Sequence, residues 1–205
     1  KYPAYEPTQD VVDYFKTDVP EEIIYKMASA KLSKKLKERE KRSGKMMTDE
    51  ERKAYTDRLQ YELDVIKSKR ALDYFLINWE ILRDYRAKGY ETGAGRGSAA
   101  GCLLSWALDI TKIDPLKYGL YFERFMNPTR QSMPDIDCDF MSGTDHIVDE
   151  FLLNKYGSKR VMPVGTYSTF NEKGCLKDVV RAHLGAEGTG EESEVNLVTK
   201  EMPKI

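Results

Sequence analysis

The chain has 205 residues, 40% of them hydrophobic and 33% charged, with a formal net charge of −1. That length suffices for one large domain or two small ones with a real core, and the near-neutral balance excludes a protein that grips polyanions by its overall charge, so any basic surface must be local. Three widely spaced cysteines, Cys102, Cys138 and Cys175, argue against a disulfide framework or a zinc site and for a reducing, cytoplasmic setting.

No apolar run approaches the ~20 residues of a membrane span, and the N-terminus lacks a signal-peptide pattern, so no membrane partner is expected. The chain opens on "KYPAY" and closes on "EMPKI" in mid-pattern, as expected of a piece of a longer protein. Residues 1–20 form a Pro-containing lead-in. "EEIIYKMASAKLSKKLKEREK" reads as a helix with acids first and bases last, the order the helix dipole favours, broken at Gly44. A second helix starts at Thr48, whose spacing to Glu51 is that of a capping box. Tyr55, Leu59, Leu63 and Ile66 give it an apolar face. In "LDYFLINWEILRDYRAKG", Leu72, Phe75, Leu76, Trp79 and Leu82 form the face of a third helix, and Gly89 marks its end. These aromatic stripes read as core packing.

"GAGRGSAAGCLLSWALDI" follows, with glycines before Ser98 and a small-residue helix predicted up to Ile110. An aromatic-rich stretch carries Arg124 and Arg130. "DIDCDF" alternates strictly and predicts a strand. "TDHIVDEFLLNKYG" predicts a helix capped by Thr144 and closed by Gly157. "KRVMPVGTY" reads as a short strand, and "NEKGCLKDVVRAHLG" as a helix with Lys173, Lys177 and Arg181 along one side. The tail is acidic and Gly-rich, then helical.

Alternate residues of a strand share a face, so Asp135 and Asp137 project together. Like charges held that close need a cation between them or one must protonate, and one or two carboxylates with water and phosphate suit Mg²⁺. An exposed edge whose aspartates discourage aggregation is the plainer alternative. Ile136, Cys138 and Phe140 on the opposite face argue that the segment packs on something. A glycine-rich helix entry offers backbone N–H groups to phosphate oxygens, and Arg96 within it can add a charged contact. The pattern is neither a Walker motif nor a dinucleotide fingerprint, and taken by itself it reads first as an ordinary helix-entry loop. Phosphate loop, arginines and carboxylate pair, in that order, are the parts that phosphoryl transfer uses.

"GRGSAAGCLLSWALDITKIDPLKYGLYFERFMNPTRQSMPDIDCDF" closely resembles the palm of the family C bacterial replicative DNA polymerases, the DNA polymerase III alpha subunits. The resemblance runs back through "RLQYELDVIKSKRALDYFLINWEILRDYRAKG" and on through "VGTYSTFNEKGCLKDVVRAHLG", roughly residues 55–185. It implies an α+β fold, a polymerase-beta-like nucleotidyltransferase palm with a small mixed sheet and flanking helices, behind a helix-rich N-terminal part. The implied division is a helical lead-in over 1–50, the first part of the palm over 51–185, and the start of a thumb or a linker over 186–205. Asp135 and Asp137 match the first two catalytic aspartates, which bind two Mg²⁺ ions that Mn²⁺ can replace. Gly97 and Ser98 match the motif that holds the incoming triphosphate. Arg96, Arg124 and Arg130 match positive positions near it, and Lys173, Lys177 and Arg181 are placed near the same site or the primer–template backbone. Asp139 is assigned a structural role.

The implied activity is DNA-directed DNA polymerisation, nucleotidyl transfer from a dNTP to a primer 3′-OH, with primer–template DNA, dNTP and other replisome subunits as partners. The family's third catalytic aspartate is absent from this stretch, so the isolated chain is expected to be inactive. Two rivals remain. A stand-alone nucleotidyltransferase of the same fold, acting on a small acceptor, would need a third carboxylate here, and the candidates Asp145, Asp149 and Asp178 fall on predicted helices. A non-catalytic nucleic-acid-binding module would bind DNA with salt dependence but no metal dependence.

Overall fold

A computed structural model describes residues 3–127, 129, 134–167, 169, 171–184 and 191–201. They form eight α-helices and two short 3₁₀ turns, divided between two compact units, residues 1–161 and 162–205. The first unit holds α1 (Gln9–Phe15), α2 (Pro20–Ser43), α3 (Asp49–Ser68), α4 (Leu72–Ala87), α5 (Leu103–Ala107) and α6 (Asp145–Tyr156). The second holds α7 (Glu172–Leu184) and α8 (Glu191–Glu201), which pack on each other. No helix among the described residues is long and apolar enough to cross a membrane.

Local chemistry sets most of the boundaries. Pro20 opens α2 in its first turn, where a missing N–H costs nothing, and Gly44 closes it in the left-handed conformation. The capping box of α3 is complete: Glu51 N–H donates to Thr48 Oγ1 at 3.2 Å, and Thr48 N–H donates to Glu51 Oε2 at 2.9 Å. Past α4, Gly89 turns back at positive φ and donates to the Arg86 carbonyl. The expected faces are in the core: Tyr55, Leu59, Leu63 and Ile66 of α3, and Leu72, Phe75, Leu76, Trp79 and Leu82 of α4, are all buried. α2 lies against α4 and α5, α3 against α4 and α5, and α6 against α4.

The expected α+β palm with a small mixed sheet is overturned, because no strand occurs among the described residues. A strand is defined by a ladder of backbone hydrogen bonds with a neighbour. Residues 134–140 have the alternation but not the ladder: a single backbone bond, Gly93 N–H to the Asp139 carbonyl at 3.0 Å, joins them to the glycine loop. Side-chain hydroxyls of α4 take the N–H of Ile136 within the segment and that of Met141 just past it. The short strand expected at 159–167 is a turn followed by irregular chain, with Met162, Val164 and Tyr167 exposed.

Two further expectations change. The helix expected after "GAGRGS" is a 3₁₀ turn, Ser98–Gly101, then a break at Cys102 (φ −98°, ψ 119°), then the short α5. Buried Glu62 enforces the break by accepting the Leu104 N–H at 2.9 Å and the Cys102 Sγ–H at 3.3 Å. Thr144 does sit at the start of α6, but its side chain makes no cap; it donates to the Met141 carbonyl at 2.6 Å.

Candidate nucleotide- and metal-binding site

Two segments about forty residues apart in the sequence meet: the glycine loop at 93–97 and the carboxylate segment at 134–140. Gly97 lies so close to the Asp137 carboxylate that a Cβ there would overlap Asp137 Oδ2, and a Cβ on Gly93 would sit 2.9 Å from the Asp139 Cβ. Arg96 reaches the Asp139 carboxylate at 3.6 Å. Opposite the carboxylates, Ile136 is buried, and Cys138 and Phe140 pack against the core, which is the division the alternation predicts. Asp135 and Asp139 are exposed and Asp137 half-buried.

The loop is held from behind. Arg86 of α4 donates to Thr92 Oγ1 at 2.6 Å, and Lys112 Nζ to the Thr92 carbonyl at 2.8 Å. Lys112 N–H also donates to the Ala94 carbonyl at 2.8 Å. Just past the loop, Arg58 donates to Glu62 at 2.7 Å and to the carbonyls of Gly101 and Leu120. Ser98 is exposed at the mouth of the 3₁₀ turn.

Burial pushes the Cys138 thiol up to about 11; Arg86 opposes this, and the charges of Asp137 and Asp139 add to it. Cys138 is therefore a neutral thiol at physiological pH. Neither Asp135 nor Asp137 has an ion-pair partner among the described residues, whereas Asp139 is paired with Arg96. No group of three or more His, Cys, Asp or Glu side chains is gathered as for a metal among the described residues. Two exposed or half-exposed carboxylates without a protein cation do fit a hard divalent ion, which accepts one or two such ligands and completes its shell with water and phosphate.

The other predicted residues are placed as follows. Arg124 ends the 3₁₀ turn Phe122–Arg124, exposed and without an ion-pair partner among the described residues. Arg130 lies outside the described residues. Lys173, Lys177 and Arg181 stand on α7 of the second unit. Asp145 and Asp149 are on α6 and Asp178 on α7, helical as expected. Sequence reasoning missed Glu62, Arg58, Thr92 and two tyrosines of α4; an acid at an otherwise apolar helical position, as at Glu62, was the one signal available for the first.

Residues 22–205 match the family model described as bacterial DNA polymerase III alpha NTPase domain. The chain belongs to this family. It is 50% identical over 127 residues to the DNA polymerase III subunit alpha of Bacillus subtilis (strain 168), covering 62% of this chain and 11% of that protein. Identity to the subunit of Ureaplasma parvum is 48% over 129 residues, 63% of this chain and 13% of the relative. To that of Mycobacterium tuberculosis (strain ATCC 25618 / H37Rv) it is 44% over 149 residues, 73% and 12%. The chain thus spans about an eighth of the DNA polymerase III alpha subunits it resembles.

Proposed function

We propose that the chain supplies nucleotide- and metal-binding residues of a DNA-directed DNA polymerase catalytic subunit, working in the cytoplasm on primer–template DNA and dNTPs alongside other replisome subunits. The observation that carries this reading is the approach of Asp137 to Gly97, which brings one carboxylate of the alternating Asp135–Asp137 pair against a glycine-rich loop. Asp135 and Asp137 are the residues that would hold Mg²⁺, or Mn²⁺ in its place. Bound divalent ions supply neutralisation of the charge on the triphosphate and the attacking oxygen.

The chain's own part is positioning. Backbone N–H groups at Gly97 and Ser98 and the Ser98 hydroxyl are the donors for phosphate oxygens. Gly97 keeps the loop free of a side chain where the phosphate must approach. Arg96, Arg124 and Arg130 supply positive charge, which a triphosphate needs in a transfer whose catalysis is mostly orientation and electrostatics. Arg96 is shared with Asp139, which holds its guanidinium beside the loop. Lys173, Lys177 and Arg181, spaced along α7, are proposed contacts to nucleic-acid or triphosphate oxygens.

The test is primer extension by a full-length alpha subunit carrying this sequence. Asp137→Asn should abolish templated incorporation while leaving the folded state intact, since a half-exposed carboxylate contributes little packing. Normal turnover by that variant would remove Asp137 from the metal site.

A further inference from the structure

Ile136 lies between the two carboxylates, and its N–H donates to Tyr74 Oη at 3.1 Å. Five residues on, Met141 N–H donates to Tyr85 Oη, also at 3.1 Å. Both tyrosines belong to α4. Their separation of eleven residues is three helical turns, so they share one side of the helix roughly 16 Å apart along its axis. The five residue-to-residue steps from Ile136 to Met141 cover roughly 16 Å only when fully extended. The two lengths match, so an extended segment laid along α4 meets a hydroxyl anchor at either end.

The second anchor is closed on itself. Thr144 Oγ1 donates to the Met141 carbonyl at 2.6 Å, which leaves the Tyr85 hydroxyl to donate to Thr144 Oγ1, also at 2.6 Å. Tyr85 is buried and meets Phe140 edge-on with ring centroids 4.9 Å apart. Packing alone leaves slack here: a cleft of about 250 Å³ lies behind the segment, lined by Asn78, Ile81, Leu82, Ile136, Cys138 and Phe140 along with Val148. A segment with a void behind it and one backbone bond to its neighbour depends on other fixed points for its register.

We propose that Tyr74 and Tyr85 are positioning residues that set the register of the Asp135–Asp137 pair toward a divalent cation, with α4 acting as the ruler. The proposal rests on the reading of Asp135 and Asp137 as metal ligands. Partners that orient metal-binding groups change metal affinity about 10- to 100-fold when removed, and Tyr→Phe deletes the oxygen that accepts the N–H, together with its bond to Thr144 Oγ1 in the case of Tyr85.

The test uses the 205-residue chain and Mn²⁺ as the probe, with binding read by electron paramagnetic resonance and amide hydrogen exchange read at Ile136 and Met141. Tyr74→Phe should weaken Mn²⁺ binding about 10-fold or more and speed exchange at Ile136. Tyr85→Phe should speed exchange at Met141 and weaken binding in the same direction. Tyr61→Phe, which removes a hydroxyl bonded to exposed Glu123, is the control and should change neither. If Asp137→Asn abolishes Mn²⁺ binding while both tyrosine variants bind as the parent does, the positioning role is overturned and the metal site stands. Lowered thermal stability with unchanged Mn²⁺ affinity in the tyrosine variants overturns it likewise, since that is what a merely structural hydroxyl would do. If Asp137→Asn binds Mn²⁺ like the parent, the metal assignment falls and the positioning role with it.

Discussion

Replacing Gly97 by alanine attacks the meeting of loop and carboxylate from the loop side. The residue has φ 68° and ψ −159°, a region essentially reserved for glycine, and a non-glycine residue held there costs about 1 to 3 kcal/mol. The new Cβ would also overlap Asp137 Oδ2. Overpacking costs about 1 to 3 kcal/mol, and the lower end applies because the half-buried Asp137 side chain can swing outward. The two terms together give a loss of roughly 2 to 4 kcal/mol. For a chain of this size that is a fall in melting temperature of about 2 to 4 °C per kcal/mol.

A double variant separates the terms. In Gly97→Ala/Asp137→Ala the backbone strain persists but the overlap is gone, so the double variant should be more stable than the sum of the single changes implies, by about 1 kcal/mol. Urea unfolding followed by circular dichroism measures all four proteins, and Mn²⁺ titration of Gly97→Ala should show weakened binding because Asp137 has been displaced. Parental stability in Gly97→Ala, or strict additivity in the double variant, would refute the claimed contact between loop and carboxylate.

Three other outcomes are expected. Glu62→Ala should cost about 3 to 5 kcal/mol in urea unfolding, because it strips a fully buried carboxylate from Arg58 and from the Leu104 N–H; a loss below about 1 kcal/mol would contradict that account of the break before α5. Burial raises the Asp109 carboxyl, but hydrogen bonds and charge from Lys31 and Lys35 outweigh it and hold the group below its ordinary value of 3.8. The unfolded chain therefore binds that proton first as pH falls, so this stabilisation is present above the ordinary value and is lost as pH drops through the lower folded one. Asp109→Asn should flatten that acid limb in urea midpoints, and an unchanged pH profile would exclude the pair as its source. Arg124→Ala in a full-length alpha subunit carrying this sequence should raise KM for dNTP, with kcat falling too if the arginine acts mainly on the transition state; an unchanged nucleotide dependence would make Arg124 an ordinary surface residue.

Much of the helical frame was legible because its signals are local. The Thr48–Glu51 box, Gly44 and the apolar spacing of α3 and α4 each act within a turn or two of chain, and the structure has them where the pattern puts them. The alternation at 134–140 was also legible, and so was the burial of its apolar side. Its status as a strand was not, since that depends on which distant groups accept its N–H donors, and here tyrosine hydroxyls of α4 take those of Ile136 and of Met141, the residue that follows the segment. The break at Cys102 has the same cause: "AAGCLLSWAL" is compatible with one helix until a carboxylate forty residues earlier captures Leu104 N–H. Tyr74 and Tyr85 were hidden among the aromatic residues of an amphipathic helix. Only their eleven-residue interval, matched to the five-residue interval between Ile136 and Met141, distinguishes them, and that match needs both partners to be seen.

The central claim, that a carboxylate pair and a glycine loop form one nucleotide- and metal-binding site, is tested most directly by diffraction from crystals of the chain soaked with Mn²⁺ and a non-hydrolysable deoxynucleoside triphosphate. The expected result is an anomalous peak within about 2.0 to 2.3 Å of oxygens from both Asp135 and Asp137, with the triphosphate against the Gly97 and Ser98 backbone. A triphosphate bound away from the loop, or manganese that ignores these two carboxylates, would contradict it.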